Sequence, residues 1–281
     1  MNPSFDQIRE QQKETWNRFS PGWGKWDAFT MRFLKPMGDA IIEDLRLKET
    51  DAVLDIATGT GEPGLTIARM VPKGSVIGTD LADAMLEIAS ARARSENRTN
   101  YSTKVGDVCA LPFEDASFDA VSCRMGFMFF PDMALAAKEI ARVLKPGGRF
   151  ATSVWSAPDG NPWVTTMMAA VHHNIAMPAP APGAPGMFRC AAPGLIAGFF
   201  GDAGMVGVSE RMVTGKVTYE SADHYWNMMM EVAAPAVAAM SGADEAARAR
   251  VKADVYASLS KGGNPISLSF GSRIITGEKP A

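Results

Sequence analysis

VLDIATGTGEPG, the run from Val53 to Gly64, decides how the rest of this 281-residue chain is read. Apolar residues set around one acid, then a small-residue loop with Gly59 and Gly61, make a buried parallel strand that ends against a nucleotide. Glycine lets a backbone turn tightly and approach a ligand where a Cβ would collide. Residues Glu62 to Met70 have helix-forming character, and Pro63 stands near the first turn, where a missing N–H costs little. Strand, glycine loop and helix together form a nucleotide-binding βα unit.

Two ligands compete for it. GTGEPG, from Gly59 to Gly64, is a literal G-x-G-x-x-G, and Asp80 follows where a dinucleotide fold keeps its ribose-binding acid. That pattern supports a second reading, an NAD(P)-dependent oxidoreductase. Asp55 speaks against it, because a carboxylate at the strand end would face a pyrophosphate across a partly dry site. The same carboxylate suits a ligand with a cationic amine and no phosphate, such as S-adenosylmethionine. A plainer role for Asp55 is to cap local backbone amides.

The following segments extend the pattern. SVIGTDLADAML, Ser75 to Leu86, reads as a second buried strand ending in Asp80, with a helix opening near Ala82. Asp80 is placed to accept from both ribose hydroxyls, and Leu81 to lie on one adenine face. YSTKVGDVCALPF, Tyr101 to Phe113, gives a third strand ending in Gly106 and Asp107. That acid suits the adenine amine, with Val108 on the other face. FDAVSCRMGFMFFPD, Phe118 to Asp132, is a fourth strand running into a loop. EIARVLKPGGRFATSVW, Glu139 to Trp155, is an amphipathic helix, a turn and a fifth strand. In a doubly wound sheet such strand ends converge on one crevice.

VLDIATGTG, GTDLADAML, GDVCALPF, GFMFFPD and LKPGGRF stand here in an order and spacing that resembles a class I S-adenosylmethionine-dependent methyltransferase of the UbiE-like branch. That branch is related to the ubiquinone and menaquinone biosynthesis C-methyltransferases. The likeness covers about Val53 to Trp155 strongly and the C-terminal part weakly, through GFFGDAGM and IITGEKP. It implies an α/β fold, a doubly wound, seven-stranded, mostly parallel sheet with a helical cap and an antiparallel final strand. It implies S-adenosyl-L-methionine as cofactor, held by Asp55, Ala57, Thr58, Gly59, Gly61, Asp80, Leu81, Met85, Asp107, Val108, Arg124 and Met125. Two departures stand out. Ala57 occupies the place of the loop's first glycine, and Met128-Phe129 replaces polar or histidine residues found in some relatives.

Composition agrees. The length suits one α/β domain with a helical cap, and a net charge of −3 without a basic stripe argues against nucleic acid. Cys109, Cys123 and Cys190 are dispersed, so neither a metal site nor a disulfide frame is expected. The polar, charged start and the lack of a membrane-spanning apolar run point to a cytoplasmic protein without stable membrane insertion. The expected organisation is an N-terminal helical lid over 1–45, a cofactor-binding core over 46–156, and cap insertions with the last strands over 157–281. The lid should pack across the mouth with Trp16, Trp23 and Trp26 in it. Further elements are a helix over Asn161–Met177, an irregular MPAPAPGAPG stretch over Met177–Gly186, and a helix over Leu195–Met205. A strand over Val206–Tyr219, a helical stretch over Ala222–Leu259 and a last strand near Ser272–Lys279 complete the chain. The irregular stretch is either a mobile loop over the site or a spacer.

The expected partner is a small methyl acceptor, largely apolar or aromatic, with O- or C-methylation foremost; a homodimer is left open. Candidate walls are Met125, Phe127, Met128, Phe129 and Phe130, then Met167, Met168, Met228, Met229 and Met230, though methionines at helical spacing are commonly core filler. Methyl transfer from a sulfonium needs alignment and exclusion of water, and a base only where the acceptor must lose a proton. His172, His173 and His224 all fall in cap segments, and His173 or His224 is the expected base. Arg124, ending the fourth strand beside the methyl donor, is placed to hold a carboxylate of cofactor or substrate, or to pair with a neighbouring acid. A third reading is a protein that binds S-adenosylmethionine without methylating.

Overall fold

The computed structural model describes residues 4–177, 181, 183–261, 263 and 265–281. Two helices, α1 (Phe5–Lys25) and α2 (Asp27–Leu45), precede an alternating series. It runs β1 (Ala52–Ile56), α3 (Gly64–Met70), β2 (Ser75–Asp80), α4 (Asp83–Ser95), β3 (Tyr101–Val105) and β4 (Phe118–Arg124), followed by α5 (Met133–Val143) and β5 (Leu144–Trp155). The rest is α6 (Pro162–Asn174), α7 (Leu195–Asp202), β6 (Val206–Tyr219), α8 (Ala222–Val232), α9 (Ala234–Gly242), α10 (Glu245–Ser260) and β7 (Ile266–Glu278). The seven strands form one sheet in the order β3-β2-β1-β4-β5-β7-β6. Strands β1 to β5 are parallel, while β7 runs antiparallel to both β5 and β6. The sheet reverses direction of growth between β1 and β4, and ligands of doubly wound folds lie outside that point.

Burial explains the strand sequences. Val53, Leu54 and Ile56 of β1 and Ala120, Val121 and Cys123 of β4 are all buried, since helices cover both faces. In α2, Phe29, Phe33, Met37, Ile41 and Leu45 recur every fourth residue and pack towards β4, β5, β6 and β7. The two N-terminal helices therefore differ. Helix α2 is a layer of the core, and α1 is the element that crosses the mouth. Gly22 allows α1 to touch α8: a Cβ there would stand 2.1 Å from the Glu231 carbonyl oxygen. Lys25 Nζ and Trp26 Nε1 fasten the same contact by donating to the Glu231 carboxylate at 2.6 and 3.0 Å.

Two expected elements differ in extent. The stretch Ala222–Leu259 is three helices, because Pro235 enters the first turn of α9 and Asp244 caps α10 with its side chain accepting from the Ala247 amide. Strand β7 starts at Ile266, well before Ser272, because it pairs with β6 all the way to Tyr219. Within MPAPAPGAPG, residues 178–180 and 182 lie outside the described residues; Gly186 N–H donates to the Met128 carbonyl at 3.1 Å. No helix among the described residues is long and apolar enough to cross a membrane.

Candidate active site

The carboxyl ends of β1, β2, β3 and β4 open into one cavity of about 1410 Å³. Pockets for a single small ligand span roughly 300–1,000 Å³, so this one has room for two molecules side by side. Its wall includes Ala57, Thr58, Gly59, Asp80, Leu81, Met85, Asp107, Val108, Arg124 and Met125, brought together from four strand ends and the start of α4. The loop after β1 carries Ala57 at φ 52° and Gly59 at φ 54°. A Cβ on Gly59 would meet nothing within 4 Å, so the open side of that turn faces the cavity. Met125, after β4, is also left-handed at φ 61°. Non-glycine residues held there cost free energy and cluster at functional sites.

Asp80 fixes the loop as well as facing the cavity. Its Oδ2 accepts from Gly59 N–H at 3.0 Å and its Oδ1 from Ala82 N–H at 3.0 Å, leaving a lone pair on each oxygen. Burial pushes its carboxyl above the ordinary range against those bonds. The amide that opens α3, Gly64 N–H, is the kind of group a dinucleotide fold turns on a pyrophosphate, and here the Asp55 carboxylate takes it at 3.1 Å. The G-x-G-x-x-G pattern is thus present without its anion seat.

Asp55 corrects the sequence reading. Its side chain is fully buried beneath the loop and does not line the cavity. Oδ2 accepts from Thr58 Oγ1 at 2.6 Å and Gly64 N–H at 3.1 Å, and Oδ1 from Ser122 Oγ at 2.6 Å. Burial pushes its carboxyl up to about 6 despite these donors and the charge of Arg124. It is a clamp on the glycine turn, not a partner for a ligand amine. Gly61 is likewise structural and absent from the wall: at φ 109°, its Cβ would stand 2.8 Å from Leu65 Cδ1.

Arg124 lies at the cavity with its guanidinium desolvated, which lowers its proton affinity. Its Nη1 lies 3.3 Å from Met31 Sδ, and no carboxylate forms an ion pair with it among the described residues. The nearby acids are engaged elsewhere: Asp27 pairs with Arg92 at 2.8 Å, and Glu62 Oε2 accepts from Thr66 N–H at 3.2 Å. An unpaired, desolvated guanidinium beside the glycine turn has the charge and donor geometry that suit a carboxylate.

Neither expected base reaches the cavity. His173 points to solvent, 78% exposed, with Nδ1 at 2.8 Å from Asp254 Oδ2. His224 is packed away in an aromatic cluster, stacked on Trp26 with ring centroids 5.3 Å apart and 4.7 Å from Phe29. Both helices present their other faces to the ligand space. His172 is the histidine that lines it. The same sorting applies to the expected apolar walls. Met125, Phe129, Phe130 and Met168 line the cavity, whereas Phe127, Met128, Met167, Met228 and Met229 are buried in the core and Met230 is not part of the wall. Trp16 and Trp23 face it, and Trp26 does not.

Several wall residues had no signal in the sequence. Arg9 of α1 donates Nε to Asp107 Oδ2 at 2.5 Å, while Asp107 Oδ1 accepts from Cys109 N–H at 2.9 Å. The lid helix is therefore tied to the acid that ends β3. Asn17 of α1 adds a second tie, its Oδ1 accepting from Ala84 N–H at the start of α4. Trp155, Trp163 and Phe33 close the far end, with centroids 5.1 and 5.2 Å from Trp163. Trp23 Nε1 is buried there without a hydrogen-bond partner among the described residues.

Residues 53–148 match a family model described as a methyltransferase domain. The chain is 36% identical over 159 residues to a demethylmenaquinone methyltransferase of Lactococcus lactis, covering 53% of this chain and 60% of that one. It thus spans little more than half the length of that curated relative. Among solved structures it is similar to the YcgJ protein of Bacillus subtilis, with a TM-score of 0.60, 22% identity, and coverage of 87% of this chain and 98% of that one. It is also similar to the [4+2]-cyclase SpnF, with a TM-score of 0.52, 23% identity, and coverage of 87% and 80%. At such identities the structural likenesses speak for the fold alone.

Proposed function

From a chain whose residues 53–148 are a class I S-adenosylmethionine-dependent methyltransferase domain of the UbiE-like branch, we propose that the whole protein methylates a small, largely apolar or aromatic acceptor. One observation carries this reading. Acids on one side of the glycine turn and an unpaired arginine on its other side bracket it, with a more apolar stretch of the same cavity adjoining. The polar half matches a nucleoside joined to an amino acid, and the remaining volume leaves room for the acceptor. The Lactococcus relative's printed name directs attention to quinol-like rings as the acceptor class to try first.

When bound, S-adenosyl-L-methionine supplies a methyl group already activated by its sulfonium. The chain's residues then bind and align. Asp80 uses its free lone pairs for the ribose hydroxyls, and Leu81 and Val108 flank the adenine plane. Asp107, steadied by Arg9 and Cys109 N–H, accepts from the adenine amine. Arg124 holds the methionine carboxylate. Trp16, Phe129 and Phe130 keep water from the transfer line, and alignment in a dry site supplies most of the acceleration. With His173 and His224 outside the cavity, proton removal from the acceptor falls to His172 or to water: an already ionised oxygen needs none, and an aromatic carbon releases its ring proton after the methyl has arrived.

Incubation with methyl-labelled cofactor and a panel of quinols, phenols and aromatic amines tests this reading. Label transfer to an aromatic acceptor is the expected result. Tight binding of cofactor with no transfer to any acceptor class would favour a non-methylating use of the same site.

A further inference from the structure

The part of the cavity wall formed by α6 and the segment before α7 is mostly apolar, with Thr165, His172 and Arg189 as its polar side chains. Helix α6 lines it with Val164, Met168 and His172, spaced four residues apart, a stripe about 12 Å long at 1.5 Å per residue. Facing this stripe is the segment before α7, which contributes Met187, Phe188 and Arg189. Arg189 is half-buried in the wall, and desolvation lowers its proton affinity. Its Nη1 donates to the Phe130 carbonyl at 2.5 Å and its Nη2 reaches the Pro131 carbonyl at 3.5 Å. Its Nε is buried with no hydrogen-bond partner among the described residues.

No carboxylate forms an ion pair with this guanidinium. Asp132 is the nearest acid to act on it electrostatically, but its Oδ1 is committed to capping α5 through the Leu135 amide at 2.9 Å. The residues outside the description add no acid, being Met, Asn, Pro, Ala and Gly. A half-buried guanidinium with Asp132 acting on it only from beyond ion-pairing distance is incompletely compensated, and an anionic oxygen from a ligand relieves it. Two carbonyls hold the guanidinium in place, which spares the ligand the entropy of ordering it. The carbonyls belong to the loop that follows β4, so this cation is tied to the loop that also brings Met125 and Phe129 to the cavity. Of the other cavity cations, Arg9 is paired with Asp107, Arg18 is exposed, and Arg124 lies at the glycine turn.

We propose that Arg189 is a binding site for an anionic oxygen on the methyl acceptor, so that the acceptor is an apolar aromatic molecule carrying a carboxylate or an ionised phenol. This rests on the methyltransferase reading for the identity of the ligand, but not for the existence of the anion seat. The Nη1 and Nη2 N–H groups not taken by the Phe130 and Pro131 carbonyls supply the donors.

Binding of matched pairs, read by fluorescence of the cavity tryptophans, tests it on the intact protein, free and loaded with S-adenosylhomocysteine. 1-Naphthoate against 1-naphthamide reads the carboxylate, and ionised 4-nitrophenol against 4-nitroanisole reads the phenolate. The charged member of at least one pair should bind about tenfold tighter than its neutral twin. Arg189→Gln should erase that preference without weakening the neutral twin, and Arg189→Lys should restore part of it. Equal weakening of both members in Arg189→Gln would assign the residue to loop packing and overturn the proposal. So would wild-type protein that shows no preference in either pair, or a preference removed by Arg124→Gln and kept in Arg189→Gln. If S-adenosylhomocysteine fails to bind, the methyltransferase reading falls, and the charge preference of the free protein still decides Arg189.

Discussion

The two ends of the cavity are built by different means. At the glycine turn, the three acids are fixed by hydrogen bonds: Asp80 to two amides, Asp55 to one amide and two hydroxyls, Asp107 to Cys109 N–H and the Arg9 guanidinium. At the far end, the wall is mostly side chains, drawn from α1, α2, β5 and α6 and resting on aromatic packing. Hydrogen-bonded backbone holds one geometry, whereas methionine and aromatic walls can repack around different shapes. One end is suited to a constant ligand and the other to a variable one.

The largest expected effect lies at the rigid end. Asp80→Ala removes the ribose acceptor and frees the Gly59 and Ala82 amides, so affinity for S-adenosylhomocysteine should fall by about 3 kcal/mol or more in a calorimetric titration. An affinity within a factor of two of wild type would mean that the two ends do not differ as described. Arg124→Gln comes next, with an expected loss of about 2 kcal/mol in the same titration and no effect on the aromatic acceptor's own binding. A variant that weakens the acceptor and spares the cofactor would move Arg124 to the other compartment.

Asp55 gives a prediction in pH. Its carboxyl lies at about 6 in the fold against an ordinary 3.8, so the folded state binds the extra proton between those values. Stability therefore falls as pH rises through that window, by about 3 kcal/mol from this one group. Thermal unfolding of the free protein from pH 4 to pH 7 should show that slope, and Asp55→Asn should flatten it. A slope unchanged in the variant would mean that other groups produce it. Smaller still is Ala57→Gly, which relieves a left-handed alanine and should raise stability by about 0.5–1 kcal/mol, partly offset by the lost contact of the methyl with Gly126. The smallest effect is at His173, where replacement by alanine should leave turnover within a factor of two. A larger loss would bring that exposed side chain back into the mechanism.

What could be read from the chain follows the same division. The strand–glycine–helix unit, the parallel order, the antiparallel last strand and the gathering of Asp80, Asp107 and Arg124 were legible, because backbone geometry ties those positions to short motifs. Asp55 was legible as important but not in its role, since a strand-end acid can turn either outward to a ligand or inward beneath the loop. In the cap the chain carried no such tie. His172 and His173 are adjacent, and only the rotation of α6 decides which one faces the ligand. Met167 and Met168 part in the same way, as do Trp23 and Trp26 across the junction of α1 and α2. Arg9 and Arg189 had no pattern at all, because the groups that hold them at the cavity, Asp107 for Arg9 and the Phe130 carbonyl for Arg189, lie more than 50 residues away in sequence.

Titration of the wild-type protein with S-adenosylhomocysteine and, separately, with NADH addresses the identity of the polar compartment. One site per chain for S-adenosylhomocysteine and no heat with NADH is the expected result, since the Gly64 amide at the start of α3, which a pyrophosphate would need, is already bound to Asp55. Saturable binding of NADH, with none of S-adenosylhomocysteine, would contradict it.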